Sequence, residues 1–406
     1  MWKRKSYKKI WDELAAEKAM IFLAGPRQSG KTTLAEIIAE QFSSKLYFNW
    51  DVLSHREKLL KNSTFFEEVE RKGEGRPLII FDEIHKYRDW KNYLKGVYDQ
   101  FHKEYLFLVS GSGRLDIYQK GGDSLAGRYF MFHLWPFTLA ELGEMETPFE
   151  QFIEDPLRIT DSGHQDLQQI WRTLSELSGF PEPYLSGKVT TWRRWSGGYA
   201  QQLIREDIRD ITDIKSTSTM ETLYHLLPSK VGSPLSIPSL SRDLQVSYNS
   251  IQNWLSVFEQ FFMLFSITPW TAKIARAIQK ERKIYLFDTP RIMDKGARFE
   301  NMVALDLWRA ITAWNDLGHG SFSLHFIKNK EQQEVDFLLA RDNEPFLLIE
   351  VKLSELQPSA TLRKFQQALN VPALQLVNEG EGYRIFTNGD QKIVVAPAWL
   401  WLAGLP

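Results

Sequence analysis

The chain has 406 residues, of which 43% are hydrophobic, so two or three domains with cores of their own are expected. Its formal net charge of −1 excludes a global field that draws it to DNA or an anionic membrane, so any nucleic-acid surface has to be a local patch. It has no cysteine, which excludes a disulfide scaffold and cysteine-ligated zinc or iron–sulfur centres.

The start, MWKRKSYKKIWDEL, has basic residues with no signal-type apolar stretch behind them, and no later run reaches membrane-spanning length. A cytoplasmic protein with no membrane partner is expected. Four short apolar runs follow, at Ala19–Leu23, Lys45–Trp50, Pro77–Phe81 and Tyr105–Val109, with amphipathic segments such as Lys31–Gln41 between them. Apolar strands alternating with helices predict a parallel sheet covered on both faces, an α/β class.

The first strand runs into Gly25-Pro26-Arg27-Gln28-Ser29-Gly30-Lys31-Thr32-Thr33, which fits G-x-x-x-x-G-K-[ST] between a strand and a helix. The glycines let backbone N–H groups close around phosphate oxygens. Lys31 supplies charge to the outer phosphates of ATP, Thr32 a hydroxyl for Mg²⁺, and the helix N-terminus its dipole. The third run ends in Asp82-Glu83, at the strand tip where open α/β sheets bind ligands. Asp82 is the candidate for the Mg²⁺ shell and Glu83 for polarising the attacking water; the bland reading is an acidic pair capping a strand. The fourth run ends in Ser110-Gly-Ser112-Gly-Arg114, where Ser112 is the candidate to orient water or the γ-phosphate. In Leu125-Ala-Gly-Arg128, Arg128 is either an arginine finger, in cis or from a neighbouring subunit of a homo-oligomer, or an ordinary salt-bridging residue.

Together GPRQSGKTTLA, LIIFDEIHK, SGS, LAGR, LWPFTLAEL, GFPEPYL, LIREDIRDI and EVDFLL…LIEVK resemble the AAA-type predicted ATPases of bacteria and archaea that carry a restriction-endonuclease-like C-terminal domain. The likeness covers nearly the whole chain. It implies an AAA-type ATPase core over 1–140, a helical lid-like region over 141–219, a winged-helix-like domain over 220–283 and a nuclease-like α/β domain over 284–406. REDIRD departs from the adjacent Arg-Asp pair of the pattern, so no sensor role passes to Arg205 or Arg209.

From Glu141 to Gln165 the chain is acidic and broken by proline and glycine, and 168–212 reads as helix interrupted at Gly179–Pro183 and Ser196–Gly198. A short helix at Pro238–Leu244, a turn at Gln245–Ser247 and a longer helix with Ile251, Trp254, Leu255 and Phe258 have helix-turn-helix spacing, with Ser247 as N-cap. The second helix offers Ser247, Tyr248, Asn249, Gln252 and Asn253 to DNA but no Lys or Arg. Residues 270–298 hold eight Lys or Arg against three Asp or Glu and could supply phosphate contacts. Packing or a protein partner is the alternative use.

Near the end, EVDFLLARDNEPFLLIEVK reads as two strands around a loop at Arg341–Pro345. Pairing Ala340 with Phe346 sets Asp336 opposite Glu350 and puts Lys352 on the same face, by the period of two. Two carboxylates with a lysine two residues on can hold Mg²⁺, or Mn²⁺ in its place, and position a water for phosphodiester hydrolysis. The set looks like the restriction-endonuclease signature, to which a Glu on an earlier helix often belongs; Glu300 is that candidate. The alternative is an ion-pair cluster that no longer cuts.

Overall fold

Three of the four apolar runs of the first part become fully buried parallel strands because nothing in them alternates. In the computed structural model, which describes residues 4–111, 125–159, 166–208, 216–271 and 281–406, β1 (Met20–Ala24), β3 (Leu78–Asp82) and β4 (Leu106–Ser110) are buried at every position. β2 (Lys45–Asn49) exposes Lys45 and Tyr47 and buries Phe48, as an edge strand can. With β5 (Phe130–His133) the sheet has the order β2-β3-β4-β1-β5, all neighbours parallel. The helices here are α1 (Lys5–Glu17), α2 (Lys31–Ala39), α3 (Leu53–Lys61) and α4 (Trp90–Phe101). On one face Phe22, Phe48, Phe66, Phe81 and Phe107 build an aromatic core with Trp90 and Leu94 of α4. Because β4 is inserted between β1 and β3, the tips of all three lie side by side: Ser110 pairs with Leu23 on one side and Asp82 on the other.

By compactness the chain forms two units, Met1–Pro136 with Gln260–Phe262, and Phe137–Glu259 with Met263–Pro406. The second opens with α5 (Leu139–Leu142), α6 (Phe149–Glu154), α7 (Leu167–Leu177), α8 (Pro181–Ser186) and α9 (Val189–Gln202). The interruption expected at Ser196–Gly198 does not occur; α9 runs through it. Trp195 and Tyr199 stack on each other and against Phe180, and Ser196 donates to buried Asp288, so packing outweighs the helix cost of two glycines. A π-helical stretch, Leu203–Ile208, follows, and Arg205 there pairs with Glu221 of α10 (Thr217–Leu226); Arg209 lies outside the described residues.

Next come α11 (Ile237–Leu244) and α12 (Tyr248–Gln260), joined by a tight turn through Gln245 at φ 54°. Ser247 caps α12 as expected, its Oγ accepting the Ser250 N–H at 3.0 Å. Beyond α12 lie β6 (Leu264–Pro269), β7 (Lys283–Leu286) and the 22-residue α13 (Lys295–Asp316). Then follow β8 (Phe322–Lys328), β9 (Glu334–Arg341), β10 (Glu344–Lys352), α14 (Ala360–Leu369), β11 (Ala373–Val377), β12 (Arg384–Asn388) and β13 (Gln391–Pro397). All eight strands join one mixed sheet, ordered β12-β13-β11-β10-β9-β8-β6-β7.

The β9–β10 connection is tighter than the five-residue loop expected. Asp342 and Asn343 turn the chain alone, at φ 53° and 64°, the left-handed pair a two-residue hairpin requires. Ala340 therefore pairs with Pro345 and not with Phe346. A bulge between Pro345 and Leu347 absorbs the difference, and below it Leu347 faces Leu339 and Ile349 faces Phe337. One further step of that register would set Glu350 opposite Asp336, close enough for its charge to act on that carboxyl.

Candidate functional site

Two groups of side chains come together, one in each unit. In the first, the loop from β1 to α2 begins at Gly25, where φ is +138° and a Cβ would stand 2.3 Å from the Leu134 carbonyl oxygen. No side chain fits there. Lys31 lies buried in the first turn of α2, its Nζ donating to the Gly25 and Pro26 carbonyls at 3.0 and 2.7 Å. The loop is also held from behind: buried Arg4, just before α1, donates to the Ser29 carbonyl at 3.2 Å and the Trp135 carbonyl at 2.6 Å.

Asp82, at the tip of β3, gathers donors from three neighbouring segments. Ser110 Oγ reaches its Oδ1 at 2.5 Å, while Tyr47 O–H and Thr32 Oγ1 reach Oδ2 at 2.5 and 3.2 Å. Asn49 Nδ2 stands 3.4 Å from the same oxygen. Burial first, and then the adjoining Asp82 carboxylate, pushes the Tyr47 phenol up, so it remains a proton donor. The Thr32 hydroxyl and the Asp82 carboxylate are the hard oxygens that Mg²⁺ prefers, already adjacent. The next residue, Glu83, holds a left-handed φ of 56°, uncommon for a residue with a side chain, and its N–H donates to the Ser110 carbonyl. Its carboxylate is 3.1 Å from Lys86 Nζ and 3.6 Å from His85 Nε2.

The second group lies on the sheet of the other unit. Asp336 Oδ2 accepts the Val351 N–H at 2.8 Å. Glu350, buried, accepts from Ser359 Oγ at 2.5 Å and pairs with Lys352 Nζ at 2.9 Å; Ser359 is also the N-cap of α14. Glu300, from the first half of α13, accepts from Tyr285 O–H at 2.8 Å and Lys283 Nζ at 3.1 Å. Lys283 also reaches Glu334 at 2.6 Å. Burial first, and then Glu300, raises Asp336 to about 7, against the opposing pull of Lys283 and the Val351 N–H. Among the described residues, no group of three His, Cys, Asp or Glu side chains converges closely enough to hold a metal. The donor chemistry fits a hard divalent ion at Asp336 and Glu350; Glu300 is committed to Lys283 and Tyr285.

Residues 17–143 match the family model of the AAA domain. Residues 17–143 are an AAA-type ATPase domain. Residues 168–290 and 295–400 match two further families, each described as a domain of unknown function (DUF8612 and DUF4143). Among relatives, the uncharacterized protein Rv2008c of Mycobacterium tuberculosis is 22% identical over 377 residues, 89% of this chain and 77% of its own. The uncharacterized protein MJ1544 of Methanocaldococcus jannaschii is 22% identical over 405 residues, 93% of this chain and 86% of its own. Solved structures with a similar chain trace include the Walker-type ATPase PABY2304 of Pyrococcus abyssi, 13% identical, TM-score 0.46, with 72% of this chain and 95% of that one covered. The Aeropyrum pernix Orc1 protein in complex with DNA is 12% identical, TM-score 0.35, with 75% and 93% covered.

Within the ATPase domain, the loop, Lys31, Thr32, Asp82 and Glu83 lie at the tips of β1 and β3, on either side of β4. Ser112 lies outside the described residues. The serine on Asp82 is Ser110, two positions earlier, where β4 still pairs with β3. Arg128 Nε and Nη2 make a fork on Asp99 of α4, at 2.7 and 3.1 Å. Sequence reasoning missed Arg4, Tyr47 and Asn49 in the first unit, and Lys283, Tyr285, Glu334 and Ser359 around the acidic face. Alternation could have revealed Lys283, because Lys283 and Tyr285 share one side of a four-residue strand. Of the basic stretch 270–298, residues 272–280 lie outside the described residues and Lys283 is only 1% exposed, so it offers nothing to a phosphate.

Proposed function

We propose that the chain is an ATP-hydrolysing switch acting on DNA, in which nucleotide turnover in the first unit controls a DNA-binding surface and an acidic, nuclease-derived face in the second. The arrangement around Asp82 carries the first half: a carboxylate with donors from Ser110, Tyr47, Asn49 and Thr32, beside a strained Glu83. The loop backbone from Gly25 to Thr33 and Lys31 hold the phosphates. Thr32 and Asp82 would hold Mg²⁺, which would supply charge neutralisation at the outer phosphates. Glu83 orients and takes a proton from the attacking water, its carboxylate swinging from Lys86. Release of Arg128 from Asp99 would let it serve as the finger; if it reaches a neighbouring copy, the working form is a homo-oligomer.

The exposed side chains of Ser247, Tyr248, Asn249 and Asn253 at the start of α12 support a DNA-facing role for the winged-helix-like region. For the acidic face, two readings compete. Asp336 and Glu350 side by side, with Lys352 two residues on, favour Mg²⁺- or Mn²⁺-assisted phosphodiester cleavage, Lys352 positioning the water. The commitment of Glu300 to Lys283 favours a face that binds DNA or a protein partner without cutting.

The test is ATPase turnover and DNA cleavage by the purified chain with Mg²⁺ or Mn²⁺, with and without ATP. Lys31→Ala and Glu83→Gln are expected to abolish turnover, and unchanged rates in either would remove the ATPase mechanism. Cleavage lost in Lys352→Ala selects the nuclease reading. No cleavage of single-stranded, duplex or branched DNA, with ATPase intact, selects the other.

A further inference from the structure

Lys283 is the least exposed charged side chain of the acidic face, at 1%, and no step proposed above uses it. Its Nζ lies 2.6 Å from Glu334, 3.1 Å from Glu300 and 5.5 Å from the centre of the Phe326 ring. The backbone beneath it is fixed on both sides, paired with Ile267 of β6 and bridged to Pro234. Burial opposes its charge, but Glu300, Asp336 and Glu334 together outweigh burial and hold the ammonium protonated. Glu300 is held at both oxygens. Tyr285 and Lys283 share one of its oxygens, and the other faces Gly232, where φ is +79° and a Cβ would come within 3.0 Å.

We propose that Lys283 is the resident cation of this face: it keeps Glu300 and Glu334 for itself and leaves Asp336 and Glu350 to take a single divalent ion. This rests on the metal-binding reading of Asp336 and Glu350. With Asp336 ionised, the four carboxylates Glu300, Glu334, Asp336 and Glu350 meet two ammonium groups, Lys283 and Lys352, so two negative charges remain, the complement of one divalent ion. A metal such as Mg²⁺ needs no more than one or two carboxylates, because it keeps most of its water. A second ion would have to expel a lysine that is almost fully buried and whose backbone is paired on both sides. A fixed ammonium thus takes the place of the second metal of a two-metal centre, where it can neutralise charge but cannot generate hydroxide.

Mn²⁺ binding to the full chain, followed by electron paramagnetic resonance and calorimetry, tests this. A Thr32→Ala background keeps the nucleotide site from contributing. One bound Mn²⁺ is expected, weakened about tenfold or more by Asp336→Asn and changed less than about threefold by Glu300→Gln. Lys283→Met is expected to take up a second ion. The double variant Lys283→Met/Glu334→Gln, which removes one charge of each sign and so keeps two negative charges, guards against misfolding and is expected to bind one ion, as the parent does. Two ions in the parent, or loss of binding in Glu300→Gln equal to that in Asp336→Asn, would overturn the role of Lys283 and leave the metal reading standing. Binding only once Lys283 is removed would support the resident lysine and overturn the metal reading of Asp336 and Glu350. No binding in any form would overturn both.

Discussion

Adding a single methyl group at Gly25 tests how tightly the phosphate loop is built. With φ at +138°, an L-residue there costs about 1–3 kcal/mol of backbone strain. The new Cβ would also sit 2.3 Å from the Leu134 carbonyl oxygen, which is backbone and can yield only by moving the start of the segment after β5. Leu134 N–H donates to the Ala24 carbonyl at 2.9 Å, and displacing Leu134 forfeits about 0.5–1.5 kcal/mol of that bond. Gly25→Ala is therefore expected to destabilise the first unit by about 2–4 kcal/mol and to weaken nucleotide binding. Urea unfolding and titration with a fluorescent ATP analogue measure the two effects. Gly96→Ala is the matched control: it lies inside α4 with nothing within 4 Å of its Cβ, and is expected to stabilise by about 0.5–1 kcal/mol. A Gly25→Ala protein within about 0.5 kcal/mol of the parent, binding nucleotide normally, would refute the packing argument.

Ser110→Ala removes one donor from Asp82, a hydrogen bond to a charged group worth about 1.5–3 kcal/mol, and should raise the Mg²⁺ needed for half-maximal ATPase about tenfold; an unshifted Mg²⁺ titration would count against Asp82 as the metal-side carboxylate. Arg4→Ala should raise KM for ATP with a smaller change in kcat, because the arginine holds the Ser29 carbonyl of the loop; Arg4→Lys should recover part of the loss, and equal falls in both constants would speak against a loop-positioning role. Asp306, buried beside Arg309, is pushed up to about 6 by burial against the pull of that arginine. The native state then holds the proton longer than the unfolded chain, so this group favours folding at low pH and loses that contribution as pH rises from about 4 to about 6. Asp306→Asn should flatten the stability–pH slope in that window, and urea midpoints that still track the parent across it would exclude Asp306 as the source.

The candidate nucleotide site was readable because its information is local. A strand, a glycine-bounded loop and a helix occupy adjacent residues, so Lys31 and Thr32 follow from spacing alone. Asp82 was legible as the polar end of an apolar run. Its partners were not, because Tyr47 and Ser110 reach it only through the strand order β2-β3-β4, which no local pattern encodes. The same limit explains the choice of Ser112 over Ser110: the sequence shows a serine-rich turn, whereas register decides which hydroxyl meets the carboxylate. Asp336 and Glu350 were recoverable through hairpin periodicity, since the misjudged turn and the unforeseen bulge cancel below Leu347. Lys283 was counted as one charge in a basic stretch, because burial within a mixed sheet is a property of the assembled fold. Arg4 was hidden likewise, its carbonyl partners lying 25 and 131 residues away.

The bulge in the β9–β10 hairpin also sets which length changes the chain can tolerate. Above it, the Asp342–Asn343 tip and Phe346 can gain or lose a residue, because an irregular step is already there to take up the slack. Below it, between Leu347 and Glu350, one deletion would turn every following side chain over and exchange Glu350 and Lys352 for Val351 and its neighbours. The hairpin thus divides into an upper segment free to drift in length and a lower one whose count is fixed. Natural insertions should collect at the tip, and a single-residue deletion scan should find the boundary at the bulge.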